Sequence, residues 1–183
     1  MARVLVPLAP GCEELEAVTI IDLLRRAEIE VVSAGLTPGP VKASRGTVLL
    51  PDVLLDDVKE QHFDLVVLPG GLPGADKLQQ DARVNQILQR THQQGQLVAA
   101  ICAAPKVLAS AGILDNCRVT AYPGVLDPQQ FPNLSISTRA VEVDGNVITS
   151  KGPGTAMDFA LTLIECLCGS EKKEQVSAQL QRA

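Results

Sequence analysis

One junction constrains the fold of this chain more than any other. The run Leu97-Val98-Ala99-Ala100-Ile101 is apolar throughout and of strand length, and it stops at Cys102. Ala103-Ala104-Pro105-Lys106-Val107-Leu108-Ala109 follows and reads as a helix with proline in its first turn. A cysteine at such a turn meets the positive end of a helix dipole and free backbone N–H groups, both of which favour thiolate over thiol. The arrangement is that of a nucleophile elbow, with sulfur in place of a serine oxygen and alanines where glycines usually stand. The competing reading is a buried, inert cysteine, since free cysteines are among the most buried residues. The local pattern leaves both open.

The remaining pattern alternates strands with helices. Arg3–Leu8 reads as a first strand, Gly11–Glu13 as a turn, and Glu14 to Ala27 as a helix with Leu15, Val18, Ile21 and Leu24 at helical spacing. Ile29–Leu36 is continuous enough to be a strand covered on both faces. Short strands are expected near Val41–Ala43 and Thr47–Leu50, and Asp64–Leu68 is the least ambiguous strand, ended by Pro69-Gly70-Gly71. Asp81 can cap a helix to about Gln94. Arg118–Tyr122 reads as a strand, and Ser137–Val143 and Asn146–Ser150 flank the type I′ hairpin signal Asp144-Gly145. Thr155 is the expected cap of a helix to about Leu167, and a last helix covers about Glu171–Gln181 with an apolar edge at Val176 and Leu180. This order predicts a mostly parallel sheet wound on both faces. Ligand sites in such folds lie outside the carboxyl ends of the strands. Three loops meet that condition: Ala9–Glu16, Gly70–Gly74 and the turn holding Cys102.

Composition narrows the function. With 183 residues, 46% of them hydrophobic, the chain suits one domain spanning residues 1–183. Thr37-Pro38-Gly39-Pro40 is too short a linker to divide it. Net charge is −5, the basic residues are scattered, and one tyrosine and three phenylalanines offer few stacking platforms, so nucleic acid is not an expected partner. No apolar run approaches the roughly 20 residues that span a bilayer, and Met1–Leu8 reads as a strand rather than a signal peptide. The five cysteines, Cys12, Cys102, Cys117, Cys166 and Cys168, are odd in number and lack CxxC spacing. A disulfide framework and a zinc site are therefore not expected, and a reducing cytoplasm fits best.

Candidate chemistry clusters in the three loops. Glu13 and Glu14 fall where acidic side chains suit the helix dipole, which suffices to explain them. Glu16 reads either as a solvated helix-face glutamate or as a carboxyl group leaning toward Cys102, where desolvation would raise its pKa and keep it protonated. Gly70 and Gly71 make a turn, or present the N–H of Gly71 to an oxyanion with the N–H of Ala103 as second donor. Gly70-Gly71-Leu72-Pro73-Gly74 matches neither a dinucleotide fingerprint nor a P-loop. The only histidines, His62 and His92, belong at the amino ends of strands, away from Cys102, so a cysteine–histidine dyad is not expected. Cys12 reads as a filler, with a resolving thiol as the alternative.

Four motifs in this order resemble the ThiJ/PfpI superfamily, in the branch of the human parkinsonism-associated protein and its bacterial YajL-type relatives. They are Ala9-Pro10-Gly11-Cys12-Glu13-Glu14-Leu15-Glu16, Val67-Leu68-Pro69-Gly70-Gly71, Ala99-Ala100-Ile101-Cys102-Ala103-Ala104-Pro105 and Ser150-Lys151-Gly152-Pro153-Gly154-Thr155. The resemblance implies a flavodoxin-like three-layer α/β sandwich, a single class I glutamine amidotransferase-like domain, a homodimer, and a readily oxidised cysteine bonded to a protonated glutamate. Cys102 and Glu16 occupy those last two positions, and Gly71 and Ala103 match the oxyanion donors. Arg45 and Lys151 match positions near an anion-accepting pocket. Two departures stand out. Ala103 replaces the histidine of the peptidase-like branch, which disfavours proteolysis. Tyr122 stands where the human relative has a histidine near the cysteine, and tyrosine donates hydrogen bonds but is a poor base near neutrality.

The implied activity is a cofactor-independent glyoxalase III-like hydro-lyase or protein deglycase, requiring no metal. Its partners would be a small 2-oxoaldehyde such as methylglyoxal, or glycated thiols and amines, with Glu16 moving protons. The alternative is an oxidation-sensing stress chaperone or regulator that uses the same cysteine without turnover and holds unfolded clients.

Overall fold

The apolar runs that read as strands do pair, and most of them run parallel. The computed structural model describes residues 1–181. Its first half comprises β1 (Arg3–Leu8), α1 (Glu14–Arg26), β2 (Glu30–Gly35), β3 (Val41–Lys42), β4 (Val48–Leu49), β5 (Val53–Leu54), α2 (Leu55–Val58), β6 (Leu65–Leu68), α3 (Gly74–Gln80) and α4 (Ala82–Gln93). The second half comprises β7 (Leu97–Ile101), α5 (Pro105–Ser110), β8 (Arg118–Val119), β9 (Ser135–Ile136), β10 (Val141–Asp144), β11 (Val147–Ser150), α6 (Ala156–Cys168) and α7 (Ser170–Gln179). Seven strands form one sheet in the order β10-β11-β7-β6-β1-β2-β5, with β10 antiparallel to β11 and the other pairings parallel. Two small sheets, β3-β4 and β8-β9, stand apart.

Side-chain alternation explains why the strands are continuously apolar. In β1, Val4, Val6 and Leu8 join the core beneath α1 and α6, whereas Leu5 joins the core beneath α2 to α5. Leu65 and Val67 likewise face the first core, and Val66 and Leu68 the second. Helices cover both faces, which makes the α/β fold a three-layer sandwich. Phe159 of α6 is the largest fully buried side chain. Truncating such a residue to alanine typically costs ~3–5 kcal/mol.

Four local expectations change. Leu15 and Val18 are 50% and 47% exposed, and α1 instead buries Glu16, Ala17, Ile20, Leu23 and Leu24. Both stripes have helical spacing; the sheet takes the one whose carboxyl group finds partners at the site. The strand expected over Arg118–Tyr122 ends at Val119, because the Thr120 N–H is taken by Thr149 Oγ1 at 2.9 Å. The hairpin turn is Gly145-Asn146, since Asp144 pairs with Val147, and only Gly145 has positive φ. That is the requirement of type II′ rather than type I′. Thr155 stands at the start of α6, but its Oγ1 turns back to accept the Gly152 N–H at 3.1 Å rather than capping the helix. Asp81 caps α4 as expected, accepting from Arg83 N–H at 2.9 Å.

Candidate active site

Cys102 follows β7 with φ of +63°, a left-handed conformation that is uncommon for residues other than glycine. Its neighbours hold it there. Cys102 N–H donates to Ser150 O at 2.9 Å, and Cys102 O accepts from Tyr122 N–H at 2.9 Å. The chain therefore turns sharply between strand and helix while both backbone groups stay satisfied, and the sulfur projects beyond the sheet edge.

Behind the sulfur lies Glu16, delivered by the first turn of α1 and fully buried. Its Oε2 accepts the Gly70 N–H at 2.8 Å, while Oε1 has no full hydrogen bond. What remains for the carboxyl group is the Cys102 thiol, a weak donor. Burial pushes Glu16 up to about 7, against the Gly70 and Cys102 hydrogen bonds that favour its charge; the nearby Glu13 charge adds to the rise. Burial also pushes Cys102 up to about 12, reinforced by the Glu16 charge and the bond to it, and opposed by the N–H groups of Gly71 and Ala103. Burial and the Glu16 charge thus oppose the thiolate that a helix N-terminus favours. Helix α5 has only six residues and begins at Pro105, three positions beyond the sulfur-bearing residue. The two groups titrate as one unit, which keeps a single proton above about 7.

Glycine is required where the loops after β1 and β6 meet. A Cβ on Gly70 would lie 2.7 Å from Cys102 Cβ and 2.8 Å from Glu16 Oε2. On Gly71, at φ +87°, it would lie 2.3 Å from Glu13 N. Glu13 N–H in turn donates to Gly70 O at 2.9 Å. Gly71 and Ala103 both aim amides at the sulfur, and the Gly70 amide that holds Glu16 was not foreseen. Its only signal in the sequence was its place beside Gly71.

Cys102, Gly71 and Ala103 open on a cavity of about 340 Å³, whose other walls include Glu13, Arg45, Leu72, Tyr122 and Val125. Arg45 and Tyr122 both line it, with Tyr122 52% exposed. Lys151 is not among the residues lining this cavity; its backbone N–H donates to Ala140 O beside β10. Glu13 and Glu14 do more than suit a dipole. Ser44 Oγ donates to Glu13 Oε2 at 2.9 Å, and Glu14 accepts the N–H groups of Arg45 at 3.0 Å and Thr47 at 3.3 Å. These bonds hold the Glu14 carboxyl down at about 2 and fasten the loop that carries Arg45.

A larger cavity of about 420 Å³ lies at the opposite edge of the sheet, lined by Met1, Asp64, Gln96 and Cys166 among others. Size does not decide between the two. Among the described residues, only the smaller cavity joins a thiol to a buried carboxyl group and two amide donors. His62 and His92 lie at the amino-terminal edge; Asn146 Nδ2 bonds both His92 O and Gln96 O beside the start of β7. Cys12 is buried in the core beneath α1. Among the described residues, no group of three His, Cys, Asp or Glu side chains is placed to hold a metal ion, and no helix is long and apolar enough to cross a membrane.

Comparison with known proteins gives a consistent picture. The family model described as DJ-1/PfpI matches residues 2–166. Protein dj-1beta of Drosophila melanogaster is 47% identical over 178 residues, covering 96% of this chain and 95% of its own. The crystal structure of that protein superposes with a TM-score of 0.94 at 45% identity, covering 100% of this chain and 98% of the other. The glutathione-independent glyoxalase DJR-1.2 of Caenorhabditis elegans is 40% identical, with 93% of this chain and 90% of the relative covered. An oxidized Toxoplasma gondii DJ-1 structure has a TM-score of 0.94 at 39% identity, with both chains fully covered.

Proposed function

The chain belongs to the DJ-1/PfpI family, and within it we propose that this protein is a cofactor-independent glyoxalase- or deglycase-type enzyme of the stress response. Its substrates are 2-oxoaldehydes such as methylglyoxal, or their early adducts on protein thiols and amines, and its products are 2-hydroxy acids. One observation carries this reading: a thiol that shares its proton with a buried carboxyl group opens, between two amide donors, on a small cavity. The name of the nematode relative, a glutathione-independent glyoxalase, supports it.

The chemistry follows from the geometry. The Cys102 proton passes to Glu16, and the thiolate adds to the aldehyde carbon. The carbonyl electron pair moves onto oxygen, where the N–H groups of Gly71 and Ala103 stabilise it. The hemithioacetal isomerises through an enediol to a thioester of the 2-hydroxy acid, and water cleaves that thioester to restore the thiol. Overall, the aldehyde carbon is oxidised to an acid with water while the adjacent ketone is reduced to an alcohol, so no external electron carrier is consumed. Arg45 orients the anionic product, and Tyr122 donates a hydrogen bond from the cavity wall.

Lactate formation from methylglyoxal without glutathione tests this reading, using wild type, Cys102→Ser and Glu16→Gln. Turnover lost in both variants is the expected result. Stoichiometric loss of methylglyoxal without lactate would mean thiol trapping alone. That outcome favours the second reading, an oxidation-sensing chaperone or regulator, which the oxidized Toxoplasma gondii relative supports. In that case sulfenic and then sulfinic acid would form at Cys102, held by the same donors. Holding of unfolded clients by Cys102→Ser separates chaperone action from both. We further infer a homodimer, supported by exposed apolar side chains on α1 and β4.

A further inference from the structure

The two carboxyl groups nearest Cys102 face different ways. Glu16 is fully buried, gives Oε2 to the Gly70 N–H, and does not line the cavity. Glu13 does line it, beside Cys102, Gly71 and Ala103. Although Glu13 precedes α1 at the capping position, its side chain accepts no N–H of that helix. Its Oε2 is turned instead toward the hairpin loop, accepting Ser44 Oγ at 2.9 Å. Among the described residues no lysine, arginine or histidine pairs with it. The backbone beneath is fixed, since Glu13 N–H bonds Gly70 O at 2.9 Å and Gly71 leaves no room for a side chain against it.

The proposed reaction needs two separate proton movements, one at sulfur and one between carbons. Glu16 stands behind the sulfur and serves the first. The second needs an acceptor on the cavity side, where the substrate carbons lie. Of the polar side chains there, Arg45 offers donors only, and Ser44 and Tyr122 are neutral hydroxyls. Glu13 is the remaining one.

We propose that Glu13 is a catalytic base and acid that carries the proton from the first carbon to the second. This inference rests on the glyoxalase reading. The Glu13 carboxylate removes the C1 proton of the hemithioacetal, and the C–H pair becomes the C1–C2 double bond of the enediol. The C2 carbonyl pair moves to its oxygen, which takes a proton from solvent. Glu13 then returns its proton to C2 while the C1 hydroxyl releases one to solvent and becomes the thioester carbonyl. The isomerisation is neutral, and water finally cleaves the C–S bond to release the 2-hydroxy acid and the thiol.

The test compares wild type, Glu13→Gln and Glu13→Asp by lactate formation from methylglyoxal and by iodoacetamide alkylation of Cys102. Glu13→Gln is expected to lose ~10²–10⁴-fold in kcat, the usual share of a general acid/base. It should keep a Cys102 that iodoacetamide alkylates and accumulate the methylglyoxal adduct there, visible by intact mass. Glu13→Asp should recover part of the turnover. Glu13→Gln turning over within tenfold of wild type overturns the proposal alone, as does loss of alkylation in parallel with turnover, which would mark a structural role. A wild type that forms no lactate overturns the glyoxalase reading and this one with it.

Discussion

Glu16 Oε2 accepts the Gly70 N–H at 2.8 Å across 54 residues of chain, so a carboxyl group delivered by α1 is pinned by the loop after β6. The same loop sends the next amide, that of Gly71, to the Cys102 sulfur. Acid, thiol and anion donors thus meet at one loop crossing, and the site's behaviour follows from how that crossing handles charge.

The Cys102–Glu16 unit should lose its first proton near pH 7 and resist losing the second until about 12. Between those values the thiolate arises by transfer of the remaining proton to Glu16, in constant proportion. The alkylation rate of Cys102 should therefore rise through pH 7 and then level off. Glu16→Gln should abolish the plateau. A wild-type rate that keeps climbing tenfold per pH unit to pH 10 would show that the two groups exchange no proton.

Stability should fall as pH rises from 4.5 to 7. The folded-state value of Glu16 is raised from 4.5 to about 7, so over this window the unfolded chain ionises there while the folded chain does not. The contribution is complete below 4.5, lost by about 7 and flat above, and its size is about 3 kcal/mol at most. Urea unfolding of wild type and Glu16→Gln at pH 4.5 and 7.5 measures it, because the variant lacks this slope. Equal slopes in the two proteins would mean that Glu16 is ionised throughout.

Alanine at the loop crossing should be costly for steric reasons. Gly70→Ala places Cβ against Cys102 Cβ and Ile101 O, an overlap of the kind that costs ~1–3 kcal/mol. Gly71→Ala adds a positive φ to a 2.3 Å clash with backbone and should cost more. Gly39 shares the positive φ, at +91°, but has open space around it. The excess of Gly71→Ala over Gly39→Ala in urea midpoint, at equal m-value, reports the overlap alone. No excess would falsify the close packing of the two loops.

Removing the Glu14 carboxylate should free the Arg45 loop. Glu14→Gln weakens acceptance of the Arg45 and Thr47 amides, so their hydrogen exchange should speed up by roughly tenfold while core β6 amides stay unchanged. Unaltered exchange at both amides would mean that the loop is held by the β3–β4 hairpin itself.

The inferred homodimer makes its own prediction. Leu50 is 79% exposed and Val48 62%, beside a groove that Val18 and Leu50 share. Leu50→Glu should shift sedimentation from dimer toward monomer, because desolvating a charge in an apolar contact is unfavourable. Sedimentation identical to a dimeric wild type would place the interface elsewhere.

Much of this protein was legible before any coordinates. Runs such as Leu65–Leu68 and Leu97–Ile101 are apolar on both faces, and only a sheet covered on both sides accommodates that. The elbow at Cys102 was equally plain, because a strand, a cysteine and a proline-started helix lie side by side in the chain. What local spacing could not decide was which of two helical stripes on α1 turns inward, since Leu15 and Val18 are as apolar as Ala17 and Ile20. That choice depends on whether a buried carboxyl group at position 16 finds a donor, and its donor, Gly70, lies 54 residues away. The opposition to charge at Cys102 was out of local reach for the same reason. Sequence shows a helix start, but burial and an adjacent carboxylate are properties of the packed site. Composition and periodicity therefore determined the layers and the elbow at Cys102, because those rest on neighbours in the chain. The electrostatics of the site, and the division of its two carboxyl groups between sulfur and cavity, were decided by tertiary contacts alone.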